Sequence, residues 1–170
     1  MKYFITIFII FIISFTGPVS FGQTSYCDTS TISAADKILI EQFWIGFKNA
    51  VNAEDKLKLE TFINFPFNCD YCIPGSGKEP NDDFFTVTKK LYNENQYKIF
   101  FDPKLKLTIN KSSNLADILS FTNDDTGKKC SLNFGYVSVE SSKDWEGQQH
   151  FFSLEKIHGK FLITTAWTVP

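Results

Sequence analysis

The chain of 170 residues contains no arginine, and all 17 of its basic side chains are lysine. It therefore lacks the guanidinium groups that hold carboxylates or phosphates through two parallel hydrogen bonds. Phosphoryl transfer that depends on an arginine is excluded for the same reason. The formal net charge of −2 leaves no excess positive charge to neutralise phosphates. We expect no nucleic-acid partner.

Recognisable catalytic and metal-binding motifs are also missing. The two histidines, His150 and His158, do not stand at ligand spacing from any cysteine, so we expect no metal and no cofactor. No serine occupies a Gly-x-Ser-x-Gly nucleophile elbow. The segment 75–78 resembles a phosphate-binding loop, but neither the preceding glycine nor the following hydroxyl residue is in place. We assign no catalytic residue from the sequence.

After residue 22 there is no apolar run long enough to cross a membrane. The first 22 residues have one charge at Lys2, an apolar run from Phe4 to Phe15, and small residues at Ser20 and Gly22. This pattern predicts a secretory signal peptide, with an uncleaved anchor as the alternative. Tyr26 before the first cysteine is unlike a lipobox. We expect an exported protein, periplasmic or secreted, without stable membrane insertion after cleavage.

The exported chain is predicted to contain four cysteines: Cys27, Cys69, Cys72 and Cys130. An even number in an exported protein indicates two disulfides, and three pairings are possible. We expect Cys69 or Cys72 to pair with a distant cysteine. A redox-active pair at 69 and 72 is disfavoured, because Pro74 and Gly75 follow where a helix would have to begin. Zinc is disfavoured because no second ligand pair is present.

Apolar periodicity predicts helices first and strands last. A capping box at Ser33 and Asp36 precedes a helix over 34–53, and Asp55 caps a second helix that ends at 65–67. A third helix is expected from 82 or 83 to 93, then an extended piece over 97–101, with 102–117 left open. Strands follow at 118–122, 130–140, 148–157 and 160–169, the last two joined by a hairpin turn at His158 and Gly159. This order predicts an α+β fold.

Three ionisable residues are candidates to face a pocket: Asp70, His150 and Glu155. An odd separation along one strand places the last two on opposite faces, so they form a poor acid–base pair. Tyr136 and Glu140 share a strand face, but a carboxylate near a strand end is usually exposed. His158, in the predicted turn, is expected to be solvated.

Two groups of residues resemble the exported bacterial members of the nuclear transport factor 2-like (cystatin-like) superfamily. One is the helical pattern Phe43-Trp44-x-x-Phe47-Lys48-x-Ala50-Val51, followed by Asp55, Leu59 and Phe65-Pro66-Phe67. The other is the hairpin Phe151–Ile163, with its aromatic-rich strand and Gly-Lys turn. The resemblance implies N-terminal helices packed on a strongly curved antiparallel sheet, and a cone-shaped pocket. The domains are then a signal peptide at 1–22, a polar tail at 23–32 and one domain at 33–170.

Such folds serve as enzymes, carriers and interaction domains, so the resemblance does not fix a function. The expectation is non-enzymatic binding of a small apolar ligand or of an envelope protein partner. The alternatives are an isomerase- or dehydratase-type enzyme and a structural domain whose pocket is filled. Oligomeric state is left open. The residues expected to line the pocket are Phe43, Trp44, Phe47, Phe134, Tyr136, Phe152 and Trp167.

Overall fold

A computed structural model describes residues 28–72, 85–123 and 130–170, with the side chains of Asn123 and Cys130 outside that description. The predicted signal peptide and Cys27 lie outside the described residues. The polar tail is described only from Asp28 onward. None of the helices within the described ranges is long and apolar enough to cross a membrane.

The first helix, α1, spans Ala34–Asn52, and this confirms the predicted helix. The Ser33 side chain accepts a hydrogen bond from the Asp36 backbone N–H, as a helix N-cap does. Asp36 is buried, and its carboxylate contacts Lys156 Nζ at 2.6 Å. This contact joins the start of α1 to the sheet.

A short helix, α2 (Lys56–Glu60), follows and is capped by Asp55 as predicted. The expectation that this helix ends at 65–67 is wrong, because the helix ends at Glu60 and 65–67 lies inside strand β1 (Ile63–Cys69). The Phe65–Pro66 peptide bond is cis.

The helix expected from 82 or 83 to 93 is partly wrong. Phe85–Val87 forms strand β2, which pairs antiparallel with Phe67–Cys69, and helix α3 spans only Lys89–Glu94. The Thr88 side chain accepts a hydrogen bond from Leu91 N–H, so the helix begins there. Residues 85–87 are extended because they pair with strand β1. The sequence of 85–87 alone gives no sign of this pairing.

The extended piece expected over 97–101 is also wrong, since Gln96–Phe101 is a 3₁₀ helix. The segment that the sequence left open contains helix α4, Pro103–Lys111. Asp102 caps α4 by accepting a hydrogen bond from Lys104 N–H, and Pro103 occupies the first turn, where a missing N–H costs nothing.

The last four strands are β3 (Leu119–Asn123), β4 (Cys130–Val139), β5 (Gln148–Ile157) and β6 (Lys160–Val169). They agree closely with the predicted strands. His158 and Gly159 both have positive φ, which a tight hairpin turn requires. The predicted turn after β3 lies outside the described residues.

The six strands form one sheet in the order β2-β1-β6-β5-β4-β3. The expectation of a purely antiparallel sheet is wrong at one position, because β1 and β6 run parallel. The register shifts in the β1–β6, β4–β5 and β5–β6 ladders. Irregularities of this kind bend strands. The α+β class is confirmed, with α1 and α4 packed against the sheet.

Candidate functional site

Five of the seven predicted pocket residues fill the interior between α1 and the sheet. Phe134 is central, with its ring centroid 5.4 Å from that of Phe47 and 5.2 Å from that of Phe152. The rings of Phe43 and Trp44 lie 6.1 Å and 6.0 Å from the same ring. These side chains contact one another, as a packed aromatic core does.

Trp167 does not join this group. Its ring stacks on Phe151 at 4.6 Å, and its indole N–H donates to Ser153 Oγ. Phe151 and Phe152 are consecutive strand residues and therefore face opposite sides of the sheet. Trp167 pairs with Phe151 across the sheet and therefore lies on the face of β6 opposite to the aromatic interior.

A cleft of about 270 Å³ lies between α1, the residues that follow α2, and the start of β6. Apolar side chains form most of its lining, with polar groups and two lysines at its rim. The lining residues are Leu39, Gln42, Phe43, Lys58, Thr61, Phe62, Lys160, Phe161 and Leu162. Phe43, one of the residues predicted to line a pocket, borders this cleft.

Gly46 determines how Phe62 borders this cleft. A Cβ atom at Gly46 would lie only 2.5 Å from Phe62 Cζ. The Phe62 ring can therefore lie against α1, where it makes edge contacts with Phe43 and Phe47. Phe62 O also accepts a hydrogen bond from Ile163 N–H, which ties this wall of the cleft to β6.

A separate polar cluster lies at the other end of β6. Tyr136 on β4 and His150 on β5 are direct cross-strand partners, and the Tyr136 hydroxyl lies 3.0 Å from His150 Nδ1. The charge of Asp102 also acts on Tyr136. Depending on the tautomer of His150, Nδ1 either accepts the proton of the Tyr136 hydroxyl or donates its own proton to that oxygen.

The residues that follow β1 complete this cluster. Tyr71 stacks on His150 with ring centroids 4.0 Å apart, and Asp70 Oδ2 accepts a hydrogen bond from Thr168 N–H. Within the described ranges, Asp70 Oδ1, the Tyr71 hydroxyl and Thr168 Oγ1 are buried without a hydrogen-bond partner. Buried polar atoms of this kind are uncommon in folded proteins.

The environment shifts the ionisation of three cluster members. Burial lowers the pKa of His150, although the charges of Asp102 and Asp70 oppose this. Burial also raises the pKa of the Tyr71 hydroxyl, as do Tyr136, Asp70 and Asp102. The pKa of Tyr136 is raised by burial and by Asp102. These shifts favour the neutral form of all three side chains.

The sequence search named three of these residues, Asp70, Tyr136 and His150, but not their neighbours. Glu155 stays apart from the cluster and accepts a hydrogen bond from Thr164 Oγ1. Among the described residues, no group of three or more His, Cys, Asp or Glu side chains is placed to hold a metal ion.

The cysteine prediction needs a correction. Cys69 and Cys72 are bonded to each other, with their Cα atoms 5.4 Å apart, so neither has a distant partner. Chain geometry explains this, because the turn after β1 brings the two sulfur atoms together. Both residues are almost fully buried, and the bridge begins at the end of a strand. In the described residues up to Cys72, no helix begins at this pair, and a redox pair is usually activated at a helix N-terminus.

The order of elements agrees with the resemblance found in the sequence. A long helix comes first, a short helix and strand follow, and a strand meander ends the chain against the first helix. The fold is α+β, with the helices packed on one mixed six-stranded sheet. Clefts and polar clusters on such a scaffold serve many functions, so function must be argued from the residues themselves.

Two solved structures are similar to this chain. A chain named Rd1NTF2_05, carrying five substitutions, has 13% identity and a TM-score of 0.36, and the match covers 75% of this chain and 94% of that one. An NTF-2-like protein of unknown function from Shewanella oneidensis MR-1 has 16% identity and a TM-score of 0.36, with 80% and 98% covered. No protein-family model and no curated protein matches the chain.

Proposed function

We propose that this protein binds a small apolar ligand in the cleft between α1, the residues after α2 and the start of β6. The observation that carries the proposal is the cleft itself, with about 270 Å³ bordered by Leu39, Phe43, Phe62 and Phe161. Ligand sites are typically concave and mostly apolar, with a few polar groups that orient the ligand. Gln42 and Thr61 supply such groups here.

The filled interior supports the choice of this cleft over the centre of the cone. Phe47, Phe134 and Phe152 are fully buried in mutual ring contact, so a ligand there would have to displace them. Displacing close-packed side chains is costly. The edge of the core, where Phe43 meets Phe62, requires no such displacement.

Isothermal calorimetry with the neutral probe 3-phenylpropanol tests the proposal. Thr61→Trp places a large ring at the exposed rim of the cleft without touching the core, and we expect it to weaken binding roughly tenfold or more. Ser141→Trp, at an exposed position outside the cleft, serves as the matched control and should leave binding unchanged. The absence of binding to the unmodified protein, or equal binding by both variants, would refute the proposal.

A second candidate function is proton transfer at the polar cluster, as in an isomerase or dehydratase. The contact between the Tyr136 hydroxyl and His150 Nδ1 supports it, together with the burial that lowers the pKa of His150, because a neutral imidazole can accept a proton. Nitrogen NMR of the His150 ring distinguishes the two tautomers. Proton acceptance at Nε2 requires hydrogen on Nδ1 in the unmodified protein, and hydrogen on Nε2 instead would remove the enzymatic candidate.

A further inference from the structure

We infer that the ligand of the cleft is a small apolar carboxylic acid whose carboxylate is held by Lys58 and Lys160. This inference rests on the proposed function and adds the charge of the ligand to it. The two lysines approach the cleft from different elements, one from α2 and one from the first residue of β6. Their ammonium groups give the rim a positive charge.

Both ammonium groups are available to a ligand. Within the described residues, neither Lys58 nor Lys160 forms an ion pair, and both residues are exposed. By contrast, Lys89 and Lys156 contact carboxylates at 2.6 Å. The carboxylate of Asp36, at the start of α1, is already paired with Lys156. The positive charge at the cleft is therefore not neutralised by these neighbours.

The positions of the aromatic and lysine side chains indicate where the apolar part and the acidic group of the ligand would lie. Lys58 Nζ lies 5.9 Å from the centroid of the Phe62 ring, which itself lines the cleft. A ring or branched chain packed against Phe43, Phe62 and Phe161 would therefore place an acidic group beside an ammonium. A volume of about 270 Å³ admits a compact body with one small head group.

Calorimetry of the purified exported protein with three matched probes tests the charge. The probes are 3-phenylpropionate, its neutral counterpart 3-phenylpropanol, and phenyl phosphate. Exposed ion pairs contribute modestly, so we expect the propionate to bind about three- to tenfold more tightly than the alcohol at low salt. Added sodium chloride should reduce this difference, because it screens exposed charges.

Variants then assign the effect to the two lysines. Lys58→Gln and Lys160→Gln should each reduce the ratio of propionate affinity to alcohol affinity. Lys143→Gln, an exposed lysine in the connection between β4 and β5, is the control and should retain the preference.

The outcomes separate the two claims. Equal binding of alcohol and propionate would overturn the inference about charge and leave the proposed function intact. No binding of any probe would overturn the proposed function and the inference with it. Tighter binding of phenyl phosphate than of the propionate would overturn the assignment to a carboxylate.

Discussion

His150 lies between two tyrosines, with Tyr71 stacked on its ring and the Tyr136 hydroxyl at Nδ1. The neutral form of the imidazole is favoured here. Burial destabilises the imidazolium more than the negative charges of Asp102 and Asp70 stabilise it. The unfolded chain has no such burial, and its histidines titrate near their ordinary pKa. Folding is therefore linked to the protonation of this one side chain.

The free energy of unfolding should fall as the pH is lowered through the ordinary histidine range. The folded pKa of His150 is lowered, so below the unfolded value the unfolded chain binds more protons than the folded chain. Urea unfolding at pH 8 and pH 5 measures the loss. We expect His150→Gln to remove part of it, whereas His158→Asn, at the exposed turn, should keep all of it. Equal losses in the two variants would contradict the assignment.

A second prediction concerns the buried carboxylate of Asp36. Its buried carboxylate binds Lys156 Nζ at 2.6 Å and accepts a hydrogen bond from Ser33 Oγ. Asp36→Ala removes both contacts, and we expect a loss of about 2 kcal/mol in the free energy of unfolding. Glu41→Ala, exposed on the same helix, should change it by less than about 0.5 kcal/mol. Similar small effects of both substitutions would show that the pair contributes little.

The sequence predicted individual residues of the polar cluster, but it did not predict that they lie next to one another. His150, Tyr136 and Asp70 were identified because their residue types carry chemistry. Asp102 was missed because it precedes a helix in a segment without a clear pattern. Lys58 and Lys160 were missed as well, since a lysine near a helix end or a turn gives no signal of a cleft.

Some helices and strands are determined by their own sequence, and others by contacts with residues that are distant in sequence. Helix α1 and strands β5 and β6 were predicted almost to the residue, because caps, periodicity and turn residues lie within their own sequences. Residues 85–87 and 97–101 were assigned wrongly. There β2 is a strand because β1 pairs with it, and the 3₁₀ helix buries Phe100 against rings that are distant in sequence. Tertiary contacts decide such segments.

The close contact between Gly46 on α1 and the Phe62 ring predicts the effect of Gly46→Ala on stability and ligand affinity. Alanine favours a helix by about 1 kcal/mol over glycine, but its Cβ would meet the Phe62 ring. We expect little change in the free energy of unfolding and a measurable loss of affinity for 3-phenylpropanol, because the displaced ring lines the cleft.

Asn49→Ala separates the two effects of that substitution. Asn49 is exposed on the same helix, and its replacement raises helix propensity without displacing Phe62. It should leave the affinity unchanged. Unchanged affinity in Gly46→Ala as well would show that Phe62 does not shape the ligand site.

The molecule as a whole is held by aromatic side chains that meet in one interior. Phe134→Ala would remove the ring that contacts Phe43, Trp44, Phe47 and Phe152. We expect a loss of about 3–5 kcal/mol in the free energy of unfolding, measured in urea. Val137→Ala, half-exposed on the same strand, should cost less than about 1 kcal/mol. A small loss at Phe134 would indicate a loosely packed interior with room for a ligand.

The proposed ligand binds at the edge of this fold and not in its interior. NMR of isotope-labelled protein titrated with 3-phenylpropanol locates the site, because each residue reports on its own surroundings. We expect shift changes at Leu39, Phe62 and Leu162, with Phe134 and Phe152 unaffected. Changes centred on Phe134 and Phe152, or no change at any residue, would show that the ligand does not bind in the cleft.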